Sequence, residues 1–222
     1  MVHYRRRKFD VGTEVSLINE KVPAGVRATG SLPQRLARTL LRIGGWTLAG
    51  EVPDLPKAVF IAAPHTSNWD GIWLLAYKLA VRVQVKFFAK HTLFWWPLGP
   101  LLRRMGAIPV ERTRSGAHVD RAVAMFADAD HLFLALAPEG TRKWTPHWRT
   151  GFFRIARAAD VPVVMAFIDY RRRRLGIGPV LDMNRDTASI LATIREFYED
   201  CGPAIPANMG PVRFPPAAGP AG

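Results

Sequence analysis

The chain reads as an α/β sandwich, a single domain around a largely parallel sheet with an amphipathic helix on its N-terminal side. Three observations predict it. Short apolar runs alternate with stretches of helical periodicity from residue 57 to residue 200, and strand–helix alternation of that kind builds a parallel sheet between layers of helix. The length, 222 residues, suits one domain with a sizeable core and leaves no room for a second full one. Apolar residues make up 49% and charged residues 22%, ordinary globular usage.

Residues 1–30 are polar, basic and dotted with Gly and Pro, and read as a flexible basic arm. Arg5, Arg6 and Arg7 have the look of a twin-arginine export signal, but Asp10 and Glu14 interrupt the apolar region such a signal needs, so no export is expected. A helix is expected from Ser31, a candidate N-cap followed by Pro33 in the first turn. Leu32, Leu36, Leu40 and Ile43 recur at helical spacing beside a stripe of Arg35, Arg38 and Arg42. Such a helix either lies in a membrane interface or packs on the core, and the pattern alone serves both.

The body then reads as strand 57–63, helix 70–80, strand 83–89, a helix within 97–105, strand 107–111, helix 117–129 and strand 131–137. Helix 151–159, strands 161–168 and 175–181 and helix 187–200 complete it. From Gly202 onward Pro, Ala and Gly dominate, which predicts a disordered or loosely docked tail over 202–222 and places the domain at 31–201.

Charge is the departure from the ordinary. Lys plus Arg number 31 against 18 Asp plus Glu, a net +13, which points to an anionic partner: nucleic acid, an anionic membrane or phosphorylated small molecules. The single Cys201 excludes an intrachain disulfide framework and a cysteine-based zinc site. No uninterrupted apolar run reaches the roughly 18 residues that span a bilayer.

The candidate chemistry begins at Pro64-His65-Thr66-Ser67-Asn68-Trp69-Asp70-Gly71, between a predicted strand and a predicted helix. A loop there places side chains at the carboxyl edge of a parallel sheet, where α/β proteins build their sites. His65 can take a proton near neutral pH. Asp70, five positions on, can curl back to hold Nδ1–H and leave Nε2 as base, the part a carboxylate plays in a serine-protease triad. The spacing alone is weak evidence; its company matters more. Gly106-Ala107-Ile108-Pro109-Val110-Glu111-Arg112 and Pro138-Glu139-Gly140-Thr141-Arg142 each follow a predicted strand with an Arg. A guanidinium matches phosphate bidentately and keeps its charge. Gly140 would let the backbone approach a ligand closely.

With Val161-Pro162-Val163-Val164, these blocks resemble the four ordered motifs of the glycerophosphate/lysophosphatidate acyltransferase family, over residues 57–168. The resemblance implies that His65 is the catalytic base and Asp70 its orienting carboxylate. It implies that Arg112 binds phosphate, that Glu139, Gly140, Thr141 and Arg142 help bind the acceptor, and that Lys90 is an accessory basic position. The chain departs from the pattern at Pro64, where Asn is common, and at Lys143-Trp144 after the third block. The implied reaction moves a fatty acyl group from acyl-CoA or acyl carrier protein to a glycerophosphate hydroxyl, lysophosphatidic acid above all. It needs no cofactor and no metal. An ornithine lipid or a glycolipid could replace that acceptor, and a non-catalytic basic module binding anionic lipid or nucleic acid is a reading of another class. The acyltransferase reading implies as partners an anionic membrane and the two substrates, no nucleic acid, and a peripheral or monotopic place on the cytoplasmic face of the membrane.

Two features stand outside the motifs. Leu93-Phe94-Trp95-Trp96-Pro97-Leu98 could be an interfacial anchor, the wall of an acyl groove, or core. Arg171-Arg172-Arg173-Arg174 reads as a solvated charge run, or as a contact for anionic lipid or the donor's phosphates.

Overall fold

Helix α1 (Leu32–Ile43) leads into a short strand β1 (Thr47–Ala49) and the central strand β2 (Lys57–Ala63) of a computed structural model that describes residues 31–111 and 117–216. Helix α2 (Asn68–Val81), strand β3 (Val85–Lys90), helix α3 (Leu98–Arg104) and strand β4 (Ala107–Val110) follow. The remainder is α4 (Ala117–Asp128), β5 (Leu132–Leu136), α5 (Gly151–Ala158), β6 (Val163–Asp169), β7 (Arg174–Leu181) and α6 (Thr187–Glu199). The predicted basic arm lies outside the described residues.

The seven strands form one sheet in the order β1-β7-β6-β2-β5-β3-β4. Strands β6, β2, β5, β3 and β4 run parallel, with Ala63 of β2 beside Phe167 of β6 and Ile61 beside Leu136 of β5. Strand β7 turns back antiparallel to β6 and carries β1 on its outer edge. Three-residue β1 is too short to leave a periodic signal in the sequence. Its approach to β7 is close enough that a Cβ on Gly176 would stand 1.8 Å from the Ala49 carbonyl oxygen, so that position requires glycine.

Alternation along β2 divides the core. Val59, Ile61 and Ala63 face one side, where Phe126 of α4, Phe152 and Ile155 of α5, and Ile190, Ile194 and Tyr198 of α6 cover them. Ala58 and Phe60 face the other side, toward Ala37 and Leu41 of α1 and Ala76, Tyr77 and Ala80 of α2. A strand buried on both faces is apolar throughout, which accounts for the unbroken run from Ala58 to Ala63.

Helix α1 packs on α2 with its less apolar side. Gln34, Ala37 and Leu41 are buried, and Gln34 Nε2 and Arg38 Nε both donate to the Ala80 carbonyl that ends α2. Leu32, Leu36, Leu40 and Ile43, the stripe that defines the helix in the sequence, face outward. Ser31 holds the N-cap position without a side-chain capping bond. Trp95 and Trp96 are exposed as well, which removes the core reading of that segment.

The segment after Gly202, expected to be disordered or loosely docked, is docked as far as residue 216. Val212 is buried, Phe214 packs on Phe152 and Phe153, and the Arg213 carbonyl accepts from the Trp148 amide. Ile205 N donates to Thr66 Oγ1 and Asn208 Nδ2 to the Thr66 carbonyl, so the Pro-rich chain braces the loop after β2.

Candidate active site

The turn from β2 into α2 is built as a helix cap. Ser67 is the N-cap and its hydroxyl accepts from the Trp69 amide at 3.2 Å. Asp70, at the third helical position, reaches back so that Oδ2 accepts from the Thr66 and Ser67 amides at 2.6 and 2.7 Å. This capping box satisfies amides that the helix itself leaves unpaired. It also draws a fully buried carboxylate, 0% exposed, beneath the imidazole of His65. The distance from His65 Nδ1 to Asp70 Oδ2 is 3.6 Å, longer than a normal hydrogen bond but short enough for the carboxylate to stabilise an imidazolium. The other oxygen, Oδ1, accepts from the Tyr170 hydroxyl at 2.7 Å.

The loop after β5 supplies the facing wall. Glu139 is 7% exposed, and its Oε1 accepts from the His65 backbone amide at 2.8 Å while Oε2 is buried without a hydrogen-bond partner. Burial pushes its carboxyl up to about 7; its own backbone amide and that of His65 oppose the rise, and the charge of Asp70 adds to it. Glu139 thus acts on the site through the backbone of His65, not through an exposed oxygen. Gly140 has φ of +66°, the left-handed region that favours glycine, and a Cβ there would stand 2.3 Å from Arg149 Nε, so the Arg149 side chain fills the space beside it. Thr141 Oγ1 accepts from the Lys143 amide. Arg142 reaches across the mouth: its Nε donates to His65 Nε2 at 3.4 Å and its Nη1 to Asn68 Oδ1.

Lys90 ends β3 on the same sheet edge, exposed, with β5 between its strand and β2. Arg112 lies outside the described residues. Of the two tryptophans after the third block, Trp148 is core, packed edge-on against Tyr198, and Trp144 is exposed. The basic run after β6 is largely paired: Arg171 and Arg172 hold Asp200, Arg172 also holds buried Asp169, and Arg173 lies over Trp46. Motif reading missed Tyr170 because it sits one residue beyond β6, beside charges, with no spacing that marks it.

Residues 50–168 match the family model described as Acyltransferase. The chain belongs to the acyltransferase family. No curated protein matches this acyltransferase. Among solved structures it is similar to the crystal structure of the 1-acyl-sn-glycerophosphate (LPA) acyltransferase PlsC from Thermotoga maritima, with a TM-score of 0.53 and 14% identity, over 76% of this chain and 78% of that one. The likeness establishes a common fold.

Acyl transfer needs a group that takes a proton from the acceptor and a means of holding the acceptor still. In this acyltransferase the sheet edge brings together an imidazole over a buried carboxylate and a guanidinium directly on that imidazole.

Proposed function

We propose that this acyltransferase moves a fatty acyl group from acyl-CoA or acyl carrier protein onto the free hydroxyl of lysophosphatidic acid, at the cytoplasmic face of the cell membrane, as a step of phospholipid synthesis. The observation that carries the choice of acceptor is Arg142 Nε, 3.4 Å from His65 Nε2. A phosphate-matching guanidinium beside a base suits a molecule that bears phosphate and hydroxyl on one glycerol. The activity named for the Thermotoga maritima protein agrees with this reading.

The chemistry runs in one transfer. The acceptor phosphate draws Arg142 away, His65 Nε2 takes the hydroxyl proton, and the oxygen attacks the thioester carbonyl carbon. The carbon–sulfur bond breaks, and the leaving thiolate takes the proton back from the imidazolium. Asp70 stabilises the imidazolium between those two proton transfers. The test is purified protein with one labelled acyl thioester and a panel of acceptors: lysophosphatidic acid, glycerol 3-phosphate, monoacylglycerol, an ornithine lipid and a glycolipid. Transfer confined to an acceptor without phosphate overturns the reading.

Arg142→Ala is expected to weaken use of the phosphorylated acceptor by about 1.5–3 kcal/mol in kcat/KM, the loss of a charge-assisted contact. Monoacylglycerol should lose far less. Equal losses on both acceptors would make Arg142 a support for His65 rather than a phosphate ligand. The same comparison on Arg112→Ala tests the role that the resemblance gives it.

Attachment to the membrane is part of the proposal. Its support is the outward apolar stripe of α1, the exposed Trp95 and Trp96, and the net charge of +13. No helix among the described residues is long and apolar enough to cross a membrane. The protein is expected to float with anionic vesicles, to be released by high salt and to leave neutral vesicles largely unbound. Equal, salt-independent binding to both would place the attraction in apolar insertion alone.

A further inference from the structure

Among the described residues, three groups besides His65 donate to the buried carboxylate of Asp70, and one belongs to a residue that no motif names. Two amides meet at Oδ2, from Thr66 and Ser67, and a carboxylate held through one oxygen can still turn about its terminal torsion, which is soft. The third donor, the Tyr170 hydroxyl, takes Oδ1 at 2.7 Å and fixes the plane. Tyr170 is itself held. Its ring meets Trp46 edge-on at 4.9 Å, Trp46 leans on Trp73 of α2, and the Tyr170 amide donates to the Gly202 carbonyl at 2.8 Å. Asp169 Oδ1, one residue before, ties the turn by accepting from the amides of Arg171, Arg172 and Gly202.

We infer that Tyr170 is the positioning residue of the His65–Asp70 pair: its hydroxyl sets the plane of the Asp70 carboxylate and tempers its charge, and so tunes the basicity of His65. The inference rests on the acyl-transfer reading of this site. Burial and the bond to Asp70 both drive the phenol upward, with Arg173 opposing, so the hydroxyl stays protonated and donating across the working pH range. The charged and titratable groups around the pair are His65, Glu139 and Arg142 at the sheet edge, with Asp169 and Arg173 in the turn that carries Tyr170.

Tyr170→Phe keeps the ring and its packing on Trp46 and deletes the donor. The expected result is a loss in kcat of about tenfold with KM for donor and acceptor unchanged. Without the phenol the carboxylate carries more charge, favours the imidazolium more strongly, and moves the acid limb of kcat/KM to higher pH. NMR titration of the His65 imidazole should follow the same direction without needing turnover. Incorporating 3-fluorotyrosine at position 170, a stronger donor of nearly the same shape, should move the limb the other way and decides the matter if Tyr170→Phe folds poorly. In an Asp70→Asn background Tyr170→Phe should cost little more, because the two act as one unit. A Tyr170→Phe protein with wild-type kcat and an unmoved imidazole titration overturns the inference, as does a loss that persists in full on Asp70→Asn. Wild-type protein inactive on every acceptor, with the imidazole shift present, sinks the acyl-transfer reading and sustains the role of Tyr170.

Discussion

His65→Ala should lose about 10²–10⁴-fold in turnover and keep its melting temperature, because a positioned general base contributes on that scale and a partly exposed imidazole contributes little to the core. Asp70→Ala should lose turnover comparably but differ in stability. Its carboxylate is fully buried and receives the Thr66 and Ser67 amides and the Tyr170 hydroxyl. Each buried donor left without a partner costs about 1–3 kcal/mol, so this protein should melt well below wild type. The double variant should turn over no more slowly than His65→Ala while melting like Asp70→Ala, since base and orienter act as a unit. Steady-state kinetics beside thermal melts of the three proteins separate the two effects. Near-wild-type turnover in folded His65→Ala would place the base elsewhere.

Glu139→Gln should stabilise the protein, and do so only at higher pH. The carboxyl of Glu139 is pushed up to about 7 by burial, from an ordinary value near 4.5 in the unfolded chain. Between those values the native state holds a proton that the unfolded state has released. Native stability therefore falls as pH rises from about 4.5 to about 7 and stays reduced above that. The full penalty is about 3 kcal/mol. Gln keeps an oxygen for the His65 amide and cannot ionise, so chemical denaturation at pH 5 should barely distinguish the variant, whereas at pH 8 it should be the more stable protein. A difference independent of pH would mean that Glu139 ionises normally and that its buried oxygen finds compensation. Glu139→Ala, which leaves the His65 amide without its acceptor, should lose both turnover and stability.

Much of the fold was legible because each strand announces itself. The apolar run over residues 57–63 and the helical period over 187–200 correspond to observed elements almost residue for residue. The antiparallel return of β7 was not legible, since its apolar residues suit either direction and only the tight turn after Tyr170 decides it. The site was legible where chemistry and local geometry coincide: His65 and Asp70 are joined by a helix cap that five residues of sequence specify. It was illegible where a partner arrives from far along the chain. Tyr170 lies 100 residues from Asp70, and nothing local to either reveals the bond. Arg142, 77 residues from His65, was found by its motif, but its seat on Nε2 was not. The stripe of α1 was read correctly as apolar. That it faces outward follows from Gln34 and Arg38 binding the end of α2, which periodicity cannot show.

The strand order has a consequence in time. Strand β2 sits at the middle of the sheet between β5 and β6, yet it precedes both in the chain by about 70 and about 100 residues. A nascent chain grows from its N-terminus at about 5–20 residues per second, so β2 waits roughly 3–14 seconds for its first neighbour. During that interval the run Ala58–Ala63 has both edges open, with no partner yet made for its amides and carbonyls. An unpaired apolar strand of this kind is an aggregation hazard until its neighbours are made. The Tyr170 hydroxyl cannot reach Asp70 before β6 has joined, because Tyr170 follows that strand. The hydrogen-bond set around Asp70 is therefore completed only once β6 has paired with β2.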